Sequence, residues 1–298
     1  MQIEIGRTSR LGNRRVNQDR IEIIETPAGV VLVLGDGLGG KPGGDLAAQT
    51  LVDTVSEELA LNPLPAENPE AFLRELLRRA HHKILITGQE QHPPMQPGTT
   101  AVICLIQNSK VWWAHAGDSR LYLFRNGLPL YRTTDHSYVE QLYQEGRISL
   151  KKLQSHPMRN YVTQCLGLSS HTPEITTNKG VAIKEGDVLL LCSDGFWDPL
   201  DEAQMGPILA EEKLNLALNS LAERAEAASY PKSDNATAVA MRIVSLQQIQ
   251  PSPTPRQRAT TKPRPNNTES DSPLDTAIDE IQRAIREYDY EMKQDNNK

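Results

Sequence analysis

The chain has 298 residues, 38% hydrophobic and 23% charged, with a formal net charge of -6. That is ample length for one large or two smaller domains with a real core, and the acidic balance leaves no basic footprint for nucleic acid. Cys104, Cys165 and Cys192 are too scattered for a metal motif or a disulfide framework, residues 1–5 do not read as a signal peptide, and no apolar run approaches the ~20 residues that cross a bilayer, so a cytoplasmic protein is expected.

In chain order, residues 1–6 alternate like a short strand, and 7–20 are polar, with Arg10, Arg14, Arg15 and Arg20. Residues 21–25 and 30–34 form a hairpin across Thr26-Pro27-Ala28-Gly29. Its second limb, Val30 to Leu34, is wholly apolar and predicts a strand buried on both faces. Leu46, Ala47, Thr50, Leu51, Val55 and Leu59 then recur at helical spacing. Asn68-Pro69 caps a second helix carrying Phe72, Leu73, Leu76, Leu77, Ala80, Ile84 and Leu85. Residues 99–106 pair with 110–116, and 121–124 with 128–131 across Asn126-Gly127, a strong hairpin signal. The stretch 135–179 is polar and irregular, with a short helix at 138–144. A second apolar strand at 188–192, one helical stretch over 201–228 and a last strand at 236–244 follow. Strands and helices do not alternate as βαβ units, which predicts antiparallel sheets with helices packed outside.

The composition changes near Gln250. Five prolines between 251 and 265 sit among Arg256, Arg258, Lys262 and Arg264, which predicts an extended disordered linker over 246–272. Ser272-Pro273-Leu274-Asp275 reads as a helix start, and Leu274, Ile278, Ile281, Ile285, Tyr288 and Met292 make an apolar seam over 273–293. The flanking positions offer no opposite-charge pairs for self-association. The seam is a candidate face for the rest of the chain or for a protein partner.

The chemistry gathers where strands end. Gly35-Asp36-Gly37-Leu38-Gly39-Gly40 satisfies G-x-G-x-x-G, and residues 35–41 satisfy G-x-x-x-x-G-K, both patterns of phosphate-cradling loops. Pro42 stands where a P-loop needs a hydroxyl, and Asp36 would repel phosphate. A carboxylate in such a turn suits a hard cation better. Three further turns have the same form, a small residue, an aspartate and a turn former beside an apolar strand: Gly117-Asp118-Ser119, Ser193-Asp194-Gly195 and Ser233-Asp234-Asn235. Aspartate is common in turns on its own account. Converging, these strand ends would make an oxygen-only site for Mn²⁺ or Mg²⁺, and two such ions about 4 Å apart could bridge a hydroxide for in-line attack at phosphorus.

Arg14-Arg15-Val16-Asn17-Gln18-Asp19, the Gly35–Gly40 stretch, Gly98-Thr99-Thr100-Ala101, Gly117-Asp118-Ser119-Arg120, Asp135-His136-Ser137, Cys192-Ser193-Asp194-Gly195 and Asp234-Asn235-Ala236-Thr237 occur in one order. In that order they resemble the protein phosphatase 2C family, metal-dependent serine/threonine phosphatases, and its bacterial branch in particular, over about residues 3 to 245. The resemblance implies an α+β fold, a four-layer αββα sandwich of two antiparallel sheets flanked by helices, in a phosphatase domain at 1–245 with a flap at about 135–179. It implies that Asp36 bridges two metal ions and is joined by the carbonyl of Gly37, that Asp194 and Asp234 complete the shell, and that Asp118 binds a third ion. Asp19 would orient a metal-bound water, and Arg14, with its planar fork, would bind the substrate phosphate. No covalent phosphoenzyme is expected.

Two departures stand out. Gln18 replaces a glutamate of some relatives, and Leu38 replaces the histidine that animal members use as an acid. His136 and His156 are conceivable donors in its place, though a lone histidine in a polar segment is ordinarily solvated. Arg147, Lys151, Lys152 and Arg159 in the 135–179 stretch could meet a phosphorylated protein or simply face solvent. No cysteine has an arginine six positions on, and no G-x-S-x-G elbow is present, which sets aside the thiolate and serine-hydrolase routes. The expected partners are phosphoproteins, those of a cognate serine/threonine kinase. Two rival readings stay open here: a phosphoprotein-binding pseudophosphatase, and a nucleotide-binding protein using residues 35–41.

Overall fold

The computed structural model describes residues 1–39 and 42–246. Its elements are β1 (Gln2–Arg10), β2 (Asp19–Thr26), β3 (Gly29–Asp36), α1 (Gly44–Leu61), α2 (Pro69–Gln89), β4 (Ala101–Gln107), β5 (Lys110–Ala116), β6 (Arg120–Arg125) and β7 (Leu128–Arg132). They continue with α3 (Tyr138–Gln144), α4 (Leu150–Ser155), β8 (Thr176–Thr177), β9 (Val181–Ala182), β10 (Val188–Cys192), α5 (Asp194–Trp197), α6 (Glu202–Glu211), α7 (Leu214–Ser229) and β11 (Ala236–Ser245). Gly40, Lys41, the linker expected beyond Leu246 and the helix expected at 273–293 lie outside the described residues.

The strands form two antiparallel sheets. One runs β1-β11-β10-β6-β7; the other runs β2-β3-β4-β5-β8, with β9 also on β5. The reason for two face-to-face sheets is visible in β3. Val31 and Val33 pack with Leu51, Val55, Leu73 and Leu77 of α1 and α2. Val30, Leu32 and Leu34 point the other way, into a core shared with Leu121, Leu189, Leu191, Val239 and Met241 of the first sheet. Alternation along a strand with both faces apolar demands cover on both sides. The far face of the first sheet buries Phe124, Leu190 and Ala240 under Phe196, Leu218 and Leu221 of α5 and α7. Helices, sheet, sheet and helices thus make the four layers expected.

Local chemistry explains the boundaries. Asn68 caps α2 by accepting from the Ala71 N–H, with Pro69 in the first turn. Asn126 and Gly127 have φ of 53° and 72°, and Asn108 and Ser109 have 48° and 57°. Both two-residue hairpins therefore turn with φ positive at both central positions, matching strand twist.

Two expectations need correction. β1 runs to Arg10, into the region read as polar loop, because it pairs with β11 all the way to Ala236. The single helical stretch expected over 201–228 is two helices. At the break Glu212 is extended (φ -94°, ψ 163°). Arg242 of β11 donates to the carbonyls of Leu209 and Glu212, both at 2.6 Å, and the Leu214 N–H donates to Glu4 Oε1 at 2.8 Å. Sheet side chains satisfy the backbone groups that the break exposes. Among the described residues no helix is long and apolar enough to cross a membrane.

Candidate metal centre

Strand register brings the aspartates together. Asp19 stands directly opposite Asp36 in the β2–β3 ladder. In the other sheet Arg120 pairs with Cys192. Asp118 and Asp194 each lie two residues beyond that pair, so both leave the sheet at the same end. Arg10 pairs with Ala236, which sets the following turn beside Asp234. There the Asn13 N–H donates to the Ser233 carbonyl at 2.9 Å, and Asn235 Nδ2 donates to the Leu11 carbonyl at 2.9 Å. The two sets face each other, for the Asp36 carboxyl feels the charges of Asp19, Asp194, Asp118 and Asp234.

The backbone under each aspartate is fixed. The Asp36 N–H donates to Thr100 Oγ1 at 3.0 Å, and the Asp36 carbonyl accepts from the Thr100 N–H (2.9 Å) and Thr99 Oγ1 (3.0 Å). A Cβ on Gly37 would stand 2.3 Å from the Gly44 carbonyl oxygen, so only glycine lets the start of α1 come this close. Gly117 has φ +115°, in the left-handed range, and a Cβ there would strike Thr100. Asp19 is buried; Ser193 Oγ donates to its Oδ2 at 2.8 Å, while its Oδ1 has no hydrogen-bond partner. Arg14 Nη2 donates to Asp234 Oδ2 at 2.5 Å, and the Asn235 N–H donates to Asp234 Oδ1 at 2.8 Å. Arg15, its neighbour, is simply exposed.

Asp36 and Asp194 are half-buried, yet the protein packed about them desolvates both. Burial raises Asp19 from the usual carboxylate range to about 7, opposed by Ser193 and Thr237 and reinforced by the charges of Asp194 and Asp234. Burial, then the charge of Asp234, lifts Asp194 to about 6. Asp36 and Asp118 are pushed well up, first by burial and then by neighbouring aspartates. Crowded, mutually repelling carboxylates and one buried oxygen without a partner are relieved by a hard divalent cation. Among the described residues no group of three or more acid, imidazole or thiol side chains is placed to hold a metal ion by itself. Mg²⁺-type ions keep several waters and take one or two carboxylates each, so this oxygen-only set fits them.

A cleft of about 620 Å³ opens beside Asp118 and Asp194, lined by Tyr143, Leu150, Leu153, Trp197 and Leu200. Leu38 is half-buried and donates its N–H to the Gly98 carbonyl at 2.9 Å. Gln18 donates its N–H to Asn235 Oδ1 at 2.9 Å. The expectation that His136 is solvated or acts as a proton donor is corrected. Its ring stacks on His115 at 4.5 Å, its Nδ1 accepts from the Gly117 N–H, and burial followed by the charge of His115 holds it down to about 4. It is a neutral structural side chain at neutral pH. His156 packs near Tyr138 and accepts from the Met158 N–H at 3.1 Å.

Thr100, Ser119, Ser193, Asn235 and Trp197 build this site, and sequence reasoning assigned none of them a role. Ser119, Ser193 and Asn235 lie inside the aspartate motifs, Trp197 three residues beyond Asp194 and Thr100 inside the Gly98–Ala101 stretch, and that placement was their one signal. No local pattern tells the Ser193 hydroxyl that its partner is Asp19, 174 residues away.

The helix–sheet–sheet–helix sandwich is similar in fold to solved bacterial serine/threonine phosphatases. One of these is Stp1 from Staphylococcus aureus, with a TM-score of 0.73 and 26% identity over 82% of this chain and 96% of that one. Another is the catalytic domain of PstP in complex with two manganese ions, with a TM-score of 0.67 and 26% identity over 82% and 99%. In sequence the chain is 32% identical over 241 residues to the serine/threonine phosphatase stp of Listeria innocua, covering 78% of this chain and 92% of that relative. Residues 7–228 match the family described as protein phosphatase 2C. The chain belongs to the protein phosphatase 2C family and is a serine/threonine phosphatase of the bacterial type.

Proposed function

We propose that this phosphatase hydrolyses phosphoserine and phosphothreonine on proteins with two Mn²⁺ or Mg²⁺ ions held at the rim between the sheets. The observation that carries the reading is the meeting of Asp19, Asp36, Asp118, Asp194 and Asp234, drawn from both sheets, with burial and mutual charge raising four of them. Asp36, the Gly37 carbonyl, Asp194 and Asp234 would hold the two ions, and Asp118 a third. When bound, such ions offset phosphoryl charge and make water a usable nucleophile near neutral pH.

The remaining roles belong to the chain. Asp19, anchored by Ser193, orients the attacking water with its second carboxylate oxygen. Arg14, moored at the cluster's edge by Asp234, offers the remaining donors of its fork to the substrate phosphate. Leu38 has no proton to give and His136 is held neutral, so the leaving alkoxide takes its proton from water in the cleft. A pseudophosphatase is not favoured, because the chain carries each aspartate that this chemistry would use. A nucleotide loop at 35–41 is opposed by the charge of Asp36.

Residues 1–245 form the phosphatase domain in this reading, with the flap at about 135–179, a linker at 246–272 and a helix at 273–293 for a protein partner. The substrates are phosphoproteins of a cognate serine/threonine kinase, and the setting is the cytoplasm. Phosphate release from phosphoserine, phosphothreonine and phosphotyrosine peptides tests the reading. Release from the first two alone, abolished by EDTA and restored by Mn²⁺ or Mg²⁺, is expected. Turnover that survives EDTA would overturn the metal-dependent chemistry.

A further inference from the structure

The turn Gly117-Asp118-Ser119-Arg120 is anchored at every residue. Gly117 exchanges hydrogen bonds with His136, its N–H donating to Nδ1 at 3.3 Å and its carbonyl accepting from the His136 N–H at 2.9 Å. The Asp118 carbonyl accepts the indole N–H of Trp197 at 3.0 Å. Ser119 Oγ bonds Thr100 Oγ1 of the opposite sheet at 2.7 Å. Arg120 places its fork on Asp135, Nε to Oδ1 and Nη2 to Oδ2 both at 2.8 Å, and Nη1 reaches Tyr122 Oη (2.9 Å) and Glu202 Oε1 (3.0 Å). Its guanidinium lies 3.3 Å over the centre of the Trp197 ring.

Two features set this apart from ordinary turn packing. First, a buried arginine loses its hydration and is stabilised only by good geometry, which the bidentate Asp135 contact and the aromatic face supply. Second, Trp197 closes α5, whose first residue is Asp194. One indole ring therefore joins the Asp194 helix to the backbone of Asp118. Asp135 and His136 open the 135–179 stretch that walls the cleft, so the same hold ties that wall to the Asp118 turn.

We propose that Trp197 and Arg120 are positioning residues for Asp118: their stack fixes the backbone of the turn, presents the Asp118 carboxylate to a divalent cation, and sets the affinity for that ion while leaving the ions at Asp36 unaffected. This rests on the reading of Asp118 as a ligand given above. Groups that orient a ligand typically change metal affinity by about 10- to 100-fold when removed.

Calorimetric titration of Mn²⁺ into the EDTA-stripped full chain tests it, with Asp118→Asn as reference and Trp197→Phe and Arg120→Lys as the variants. Trp197→Phe keeps an aromatic ring for Arg120 but deletes the N–H and shortens the side chain; Arg120→Lys keeps the charge and deletes the fork. The weakest Mn²⁺ site should vanish in Asp118→Asn. The same site should weaken about tenfold or more in both variants, with the tighter sites unchanged. In parallel the Mn²⁺ concentration for half-maximal hydrolysis of p-nitrophenyl phosphate should rise, with the KM for that substrate unchanged. A wild-type weakest site in Trp197→Phe, or equal weakening of every site, overturns the inference. An Asp118→Asn isotherm identical to wild type shows instead that Asp118 is no ligand, and the inference falls with that reading.

Discussion

Asp36 illustrates what the site demands of single residues. It ends an apolar strand, faces Asp19 across the ladder, and feels four other carboxyl groups. Alone, such crowding is destabilising, since each ionised carboxylate is desolvated and repelled. A centre of this kind trades stability of the polypeptide for affinity toward cations. Asp36→Asn should therefore lower turnover by about 100- to 1,000-fold, the scale on which losing one electrostatic group of a site is felt. In EDTA the same variant should melt higher than wild type, by about 2–4 °C for each kcal/mol of repulsion removed, and Mn²⁺ should no longer raise its midpoint. Thermal scans with EDTA and with Mn²⁺ check both. A variant that melts lower in EDTA and still responds to Mn²⁺ would show Asp36 to be structural. The aspartates were legible in sequence because each sits in a small-residue turn beside an apolar strand. Ser193 and Trp197 were not, because a hydroxyl or an indole carries no local mark of a distant partner.

Among elements, β5 and the start of the 135–179 stretch are joined by the stacked rings of His115 and His136. Burial, and then the charge of His115, holds His136 at about 4. Burial also lowers His115, with the Thr134 carbonyl and Asp135 opposing. A free histidine titrates near 6.5. The unfolded chain therefore takes up protons below about pH 6.5, whereas the fold resists until about 4. The pair contributes stability that is complete above that window and is lost as pH falls through it. Urea midpoints measured from about pH 7 down to 4 should fall more steeply for wild type than for His136→Gln; parallel curves would contradict the assignment. Most elements were readable from periodicity and turn chemistry, as at Asn68-Pro69 and Asn126-Gly127. The break between α6 and α7 was not. It is held by Arg242 and Glu4, which lie on other strands.

At the scale of the molecule, three apolar layers hold two sheets and two sets of helices so that acidic turns of both sheets share one rim. The runs at Val30–Leu34 and Val188–Cys192 foretold doubly covered strands, but which ends would meet depends on register between strands as distant as β1 and β11. Leu246 still packs on the inner core, and its N–H donates to Glu185 Oε1 at 3.0 Å. Ending the chain after Leu246 should thus leave hydrolysis of p-nitrophenyl phosphate within about twofold of the full chain, as expected when a separate segment is removed. A large loss in that steady-state assay would make the remaining residues part of the catalytic unit.

Anomalous diffraction from crystals soaked in Mn²⁺ tests the central claim most directly. Two manganese peaks beside Asp36, bounded by the Gly37 carbonyl, Asp194 and Asp234, are predicted. Peaks only elsewhere, with none at Asp36, would contradict the assignment of the rim between the sheets as the metal centre.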